Sequence, residues 1–370
     1  MGLTVASPAA ASASANPDPE FWHGRRVLLT GHTGFKGAWL ALWLQELGAR
    51  VTGFALEPPT RPSMFELARV GEGMRCLTGD IRDLAALRDA FAVCQPELVV
   101  HMAAQSLVLR SYREPVVTYA TNVIGTVHVL EAMRLQGGVR ACLIVTSDKC
   151  YENRETQRAY AESDPMGGKD PYSSSKGCAE LVTAAYRNSF FAGNDAPAAV
   201  ASARSGNVVG GGDFSEDRLV PDMMRAFLAK SAVHVRNPEA VRPWQHVLEP
   251  LRGYLLLCEC LARDGAAYAE SWNFGPADED SVPVRNVVDR LLRHWPKGEA
   301  ILAKTATGPH EAGLLKLDCS KARARLGWRP RWNLDRCLAE TASWFKTMEA
   351  GGDLRAASLA QLRAYAASST

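Results

Sequence analysis

Short apolar runs alternate with longer helical patterns through the first half of the chain. Arg25 to Thr30 reads as a short buried strand, with glycines following at Gly31, Gly34 and Gly37. The stretch Ala38-Trp39-Leu40-Ala41-Leu42-Trp43-Leu44 is apolar on every side, which predicts a helix packed on a sheet and ended by Gly48. Ala49 to Ala55 predicts the second strand. The alternation continues with a helix over Asp83 to Val93, a strand over Glu97 to Met102, a helix over Val116 to Leu135 and strands over Val139 to Ser147 and Ala198 to Ser205. Such alternation predicts parallel βαβ units with right-handed crossovers, hence an α/β fold with a doubly wound parallel sheet of the Rossmann type.

Beyond about Tyr186 the pattern loosens. Gly206 to Asp213 is a Gly-rich loop, and Arg, Trp and His become frequent from Arg236 to His246 and from Lys304 to Trp332. This half predicts a smaller α/β substrate-binding domain. The expected division is residues 21–205 for the dinucleotide-binding domain, 206–350 mainly for the substrate domain with some segments returning to the first, and 351–370 for a helical tail. No internal repeat is present.

Composition narrows the class. The chain has 370 residues, 47% of them hydrophobic, enough to bury a large core. A net charge of +2 gives no basic footprint for nucleic acid, although a small cationic pocket stays open. Nine cysteines occur without CxxC pairs or His/Cys clusters, so no metal site is expected, and the thiols are read as reduced in a cytoplasmic protein. Residues 1–20, with an Ala/Ser run from Ala9 to Ala15, lack the features of a secretory signal and read as a disordered extension. Nothing approaches the roughly eighteen uninterrupted apolar residues of a membrane span.

The loop Gly31-His32-Thr33-Gly34-Phe35-Lys36-Gly37 sits between a predicted strand and a predicted helix. Glycines there permit a tight turn and close backbone approach to a pyrophosphate, and the helix N-terminus offers free N–H groups and a positive dipole end. After the second strand, Glu57 is near and no Arg or Lys is immediate, Arg61 being the next cation, so NAD is favoured over NADP. Asp80-Ile81 reads either as a contact to the adenine end or as a loop cap. The Lys36 charge either assists the pyrophosphate or projects over the active site.

Tyr172 and Lys176 have i,i+4 spacing, which puts both on one helical face if Pro171 opens the helix. A cationic lysine near the phenol is expected to lower its pKa from about 10 and prepare a general base for alcohol oxidation. The pair follows a strand ending in Thr146-Ser147-Asp148-Lys149.

With these motifs in order, together with Ala103-Ala104-Gln105-Ser106 and Thr121-Asn122, the chain resembles the extended short-chain dehydrogenase/reductases that modify nucleotide sugars. The Gly31–Gly37 loop, Thr146–Lys149, Asp170–Lys176, His310-Glu311 and Leu315–Ala322 are most similar to the branch of 4,6-dehydratases acting on CDP-glucose. The resemblance covers Phe21 to about Lys346. It implies bound NAD, held by the Gly31–Gly37 loop, Asp80, Ile81, Ala103, Ala104, Gln105, Thr121, Tyr172 and Lys176. It also implies oxidation at C4, loss of water across C5 and C6, and reduction at C6. Tyr172 would take the C4 hydroxyl proton, Ser147 would hold the C4 oxygen and Asp148 would protonate the departing C6 hydroxyl. Lys149 stands where the broader family has glutamate; it is read as the C5 base, with enolate stabilisation as the alternative.

Substrate contacts implied are Ser106, Asn122 (alternatively a helix cap), Ser147, Asn207, Arg218, Arg236, Arg242, Asn273 and His310. The arginines suit a diphosphate. Trp244 and Trp272 read as core, and Cys150 and Cys178 have no nucleophilic part. By the same resemblance the protein would be a homodimer or a dimer of dimers, joined through Val116–Leu135 and Ser173–Ser189, and would serve deoxysugar and surface-polysaccharide (O-antigen, lipopolysaccharide) assembly. The rival readings are a dehydratase or 4-epimerase of another nucleotide sugar, and a non-catalytic sensor that kept the cofactor fold.

Overall fold

The computed structural model describes residues 16–193, 196–304 and 314–368. Its strands are β1 (Arg26–Thr30), β2 (Arg50–Ala55), β3 (Arg75–Thr78), β4 (Leu98–His101), β5 (Ala141–Val145), β6 (Ala199–Ser205), β7 (Asn207–Val209), β8 (Ala232–Val235), β9 (Val241–His246), β10 (Ser271–Phe274), β11 (Ser281–Pro283) and β12 (Glu299–Leu302). Seven of them form one sheet in the order β10-β6-β5-β4-β1-β2-β3. Every pairing in it is parallel.

Burial explains the apolar runs. Val27 and Leu29 of β1 enter one core while Leu28 enters the other, and Leu143 and Ile144 of β5 divide in the same way. Successive side chains of a strand point to opposite faces, so a strand covered on both sides reads as continuously apolar. The helices Phe35–Glu46 and Leu248–Asp264 cover one face; Leu84–Cys94, Gly125–Gln136 and Pro171–Phe190 cover the other. The all-round apolar segment Ala38–Leu44 is wholly buried because the helix Leu354–Ala367 closes over it, tied by Arg363 Nε to Glu46 Oε1 at 2.7 Å. Among the described residues no helix is long and apolar enough to cross a membrane.

The order in which strands are added reverses between β1 and β4, where the crevice above the strand ends is the usual ligand site of an open α/β sheet. Two small sheets, β11-β9-β7 and β12-β8, face that crevice from the later part of the chain. The strand β10 returns from this later part to the edge of the large sheet.

Two expectations change. Residues 1–15 of the expected disordered extension lie outside the described residues, but residues 16–20 are held. Asn16 Nδ2 donates to Ala366 O at 3.0 Å, and Asp18 caps a helix over Pro19–Trp22 whose Trp22 is fully buried. That indole is anchored by Nε1 donating to Glu259 at 2.7 Å, so its apolar area offsets the cost of ordering. The single helix expected over Val116–Leu135 is instead Pro115–Tyr119, a π-turn over Ala120–Ile124, and Gly125–Gln136. The wide turn carries Thr121 on the cleft and Asn122 into the protein.

Candidate active site

One cleft of about 1440 Å³ runs across the crevice. Its floor is the loop after β1. Gly31 has φ +77°, and a Cβ there would sit 2.7 Å from the Ala103 nitrogen; a Cβ on Gly37 would sit 2.1 Å from Gly31 O. Only glycine permits this approach of loop, helix and the segment after β4. The helix Phe35–Glu46 opens at Gly34 with no side-chain cap, so its first N–H groups have no side-chain acceptor at the cleft wall. These features fit the pyrophosphate of a dinucleotide.

Gly31, Thr33, Gly34, Phe35, Lys36, Gly37, Asp80, Ile81, Ala103, Ala104, Gln105 and Thr121 all line the cleft. Glu57 lies there as well, with Arg61 and Arg82. Asp80 binds Arg82 through two oxygens, at 2.5 and 3.0 Å, which holds the Asp80 carboxyl below its usual range and neutralises one cation of that wall. A retained acid and a neutralised arginine suit a free ribose hydroxyl better than a 2′-phosphate. Arg82 carries no motif that would single it out from sequence.

The chemistry is concentrated where β5 ends. Asp170 caps the helix Pro171–Phe190 by accepting from Ser173 N at 2.9 Å, Pro171 occupies its first turn, and Tyr172 and Lys176 both line the cleft. Ser111 Oγ accepts from Tyr172 N at 3.2 Å and fixes the start of that helix from the side. Ser147 caps a short turn over Asp148–Cys150, its Oγ accepting from Lys149 N at 3.2 Å. It donates to Asp148 Oδ1 at 3.1 Å and lines the same cleft as Tyr172. Asp148 is 4% exposed and Lys149 half-buried on the cleft wall. Gly206 makes room for that carboxyl, since a Cβ there would lie 2.8 Å from Asp148 Oδ2.

Burial pushes the Asp148 carboxyl up, against the pull of Lys149, Ser147 and Arg242. Lys176 donates to Val145 O at 3.3 Å, and burial brings its ammonium down to about 8 while Glu180 and Cys150 oppose. The expected depression of Tyr172 is not what the chain's own groups produce. Burial pushes the phenol up to about 12, outweighing the pull of Ser147 and the Arg218 charge.

Beneath this surface lies a buried ion pair, Arg204 Nη2 to Glu180 Oε2 at 2.8 Å, both 3% exposed. Glu180 also accepts from Thr146 Oγ1 at 2.5 Å and Ser202 Oγ at 2.7 Å, so one carboxylate ties the ends of β5 and β6 together just behind Ser147. The pair joins residues 24 positions apart on a helix and a strand, which no local pattern displays.

Lys36 is directed to the active site. Its amine donates to Ser205 Oγ at 2.7 Å and Tyr254 OH at 3.0 Å, and burial lowers it to about 7, with Lys176 and Arg218 adding to the effect and Asp148 opposing it. The partners Ser205 and Tyr254, themselves 2.9 Å apart, escape sequence reasoning; each is an ordinary residue until β6 and the helix Leu248–Asp264 bring them together. Replacing Lys36 with Met is expected to lower kcat by about 10- to 100-fold, the size of a lost charged hydrogen bond, with cofactor content unchanged. Loss of cofactor at unchanged kcat would return Lys36 to the pyrophosphate.

Comparison with known proteins places the chain in a family. The GDP-mannose 4,6 dehydratase family model matches residues 28–341. The chain belongs to that family. A CDP-glucose 4,6-dehydratase of Salmonella typhimurium is 50% identical over 358 residues, covering 95% of this chain and 99% of the relative. A dTDP-glucose 4,6-dehydratase of Streptomyces antibioticus is 30% identical over 330 residues, 86% of this chain and 92% of the relative. Among solved structures, the Bacillus anthracis dTDP-glucose 4,6-dehydratase with NAD has a TM-score of 0.72 at 20% identity, over 90% of this chain and 100% of that one. The Thermotoga maritima UDP-glucose 4-epimerase with UDP-glucose has a TM-score of 0.74 at 23% identity, over 87% and 99%. The fold of this family is the parallel seven-stranded α/β architecture seen here.

Of the residues expected to meet substrate, Ser106, Ser147, Asn207, Arg218, Arg236 and Arg242 line the cleft. Arg218 Nη2 donates to Ser106 Oγ at 3.2 Å, and Arg236 lies 3.7 Å from Asp217. Three expectations do not place a residue there. Asn122 is 2% exposed, donates to Gln105 O and Ser175 Oγ and accepts from Gln105 N, so it ties the loop after β4 to the helix of Tyr172. Asn273, fully buried, accepts from Tyr151 OH and donates to Tyr160 O and Asp318 O. His310 lies outside the described residues. Trp272 and Trp244 are both core residues, as expected, and Trp244 also reaches the cleft wall.

Proposed function

We propose that this protein removes water from CDP-glucose, giving CDP-4-keto-6-deoxyglucose through NAD that is used and regenerated within the site. The observation that carries the reading is Asp148, a carboxyl on the cleft wall that is buried, pushed up by that burial and hydrogen-bonded by Ser147. An epimerase needs only the C4 chemistry, whereas a dehydratase also needs an acid for the departing hydroxyl. Cytidine and glucose rest on the relative that is half identical over nearly the whole chain.

The Gly31–Gly37 loop and the uncapped helix start would hold NAD, which supplies the hydride acceptor for C4 and the donor for C6. Tyr172 takes the proton of the C4 hydroxyl, and Ser147 donates to the C4 oxygen. The C4 ketone acidifies the C5 proton, which Lys149 takes or whose enolate it stabilises; the ammonium acts as base only after losing its own proton. Asp148 gives its proton to the C6 oxygen as water departs. Arg218, Arg236 and Arg242 face the diphosphate. Val116, Tyr119, Ile124, Leu135 and Leu181 are exposed apolar residues on the segments expected to join two copies, and a homodimer covering them is the assembly we propose; a concentration-independent monomer in light scattering contradicts it.

The test is incubation with NAD and, separately, CDP-, dTDP-, GDP- and UDP-hexoses, with product masses read. Loss of one water from CDP-glucose alone is expected. Loss from another donor overturns cytidine, and no loss from any donor by folded, NAD-bound protein overturns dehydration.

A further inference from the structure

The glycines Gly210, Gly211 and Gly212 follow β7 and lead the chain into the wall of the cleft. From Asp213 to Asp222 every residue lines that wall. The glycine turn itself is buried behind it. A Cβ on Gly211 would lie 2.0 Å from Trp344 Cγ, so bare backbone packs on that indole. Gly211 O accepts from Trp39 Nε1 at 2.9 Å. Trp39 is fully buried and belongs to the helix Phe35–Glu46, which begins at the dinucleotide loop. Its side chain therefore joins the cofactor side of the crevice to the substrate side from behind the cleft wall.

We propose that Trp39 is a positioning residue for substrate: its indole N–H fixes the glycine turn and, through that turn, aims Arg218 at the nucleotide diphosphate. The inference rests on the nucleotide-sugar reading above. Beyond the turn, the segment is strapped at successive points. Asp213, 3% exposed, accepts from Ser215 N at 3.0 Å and lies 3.6 Å from Arg218 Nη1. Arg225 Nη1 donates to Phe214 O at 2.7 Å and Ser215 O at 2.9 Å. The Phe214 ring meets Trp344 and Phe345 edge-on, with centroids 6.4 and 5.6 Å apart. Close-packed surroundings leave little slack, so a shift at Gly211 reaches Arg218.

The ion pair at 3.6 Å is longer than a hydrogen bond. Asp213 thus orients the guanidinium while leaving Nη1 to donate to a phosphate oxygen. Trp39 also touches the element of a second arginine. Its ring meets His246 edge-on at 6.1 Å, at the end of β9, the strand that carries Arg242. Loss of the indole N–H would leave Gly211 O buried without that donor, and a glycine backbone is free to turn in search of another.

Trp39→Phe keeps an aromatic ring and removes the N–H. With NAD-bound protein and CDP-glucose, KM is expected to rise about 10-fold, the scale of one charge-assisted hydrogen bond, while kcat stays within about threefold of wild type. Inhibition by CDP, which carries the diphosphate, is expected to weaken by the same factor. Trp22→Phe is the control. Trp22 is as fully buried, and its Nε1 donates to Glu259 at 2.7 Å away from the cleft wall, so its loss should lower the melting temperature and leave KM unchanged. Benzothienylalanine placed at residue 39 puts sulfur where the N–H was in a ring of the same shape, and it should give the same KM shift in a protein that folds as the wild type does. An unchanged KM in the residue-39 variants, or an equal rise in Trp22→Phe, would overturn the positioning role and leave the substrate reading intact. Wild-type protein that neither binds CDP nor converts CDP-glucose would instead remove the substrate reading, and the positioning role with it.

Discussion

Replacing Tyr172 with phenylalanine is expected to lower kcat with CDP-glucose by about 10²- to 10⁴-fold, the contribution of a positioned general base. Bound NAD is expected to remain, because the Gly31–Gly37 loop and the start of the helix Phe35–Glu46 are untouched. The substituted ring would fill the same buried place, so a large loss in stability is not expected. KM should change little, since the missing oxygen acts on the C4 proton rather than on the nucleotide. Rapid-quench assays and cofactor absorbance check both halves of this expectation. A variant with ordinary kcat would remove Tyr172 from the chemistry.

The second large effect lies behind the site. Arg204→Met is expected to destabilise the protein by about 3–5 kcal/mol, since it leaves Glu180 buried and uncompensated. Glu180→Gln combined with Arg204→Met should recover part of the loss. The sign with pH follows from linkage. Burial alone would raise Glu180, but the Arg204 charge and the hydrogen bonds of Arg204, Thr146 and Ser202 outweigh it and hold the carboxyl low. In the wild type the pair's stabilisation is therefore present above the unfolded value of about 4.3 and lost as pH falls through the lowered folded value. Without Arg204, burial raises the carboxyl, and stability is lost as pH rises above that range. The deficit of Arg204→Met should thus be larger at pH 8 than at pH 5, read from urea midpoints. An equal deficit at both would show that packing, not charge, carries the effect.

The parts of this architecture that are legible in the sequence are those fixed by local pattern. The run Arg25–Thr30 contains β1, and Ala38–Leu44 is the buried middle of the following helix, because apolar content at these spacings leaves few alternatives. Tyr172 and Lys176 are legible because four residues on a helix are about one turn. What escapes depends on partners distant in sequence. Lys36 has no assigned direction until Ser205 and Tyr254, 169 and 218 positions away, are brought to it. Asn122 resembles a site residue, but the π-turn at Ala120–Ile124 places its side chain inside. The state of the tyrosine escapes for a related reason: spacing shows that a lysine is near, but not that burial outweighs the charges around the phenol.

A single site that oxidises C4, expels water and reduces C6 must keep its hydride throughout the cycle. Incubation of the NAD-bound protein with CDP-glucose carrying deuterium at C4 follows that hydride directly. The expected product is lighter by one water, with the deuterium now on C6. Product with the deuterium lost to solvent, or substrate recovered with no loss of water, would contradict the internal hydride return.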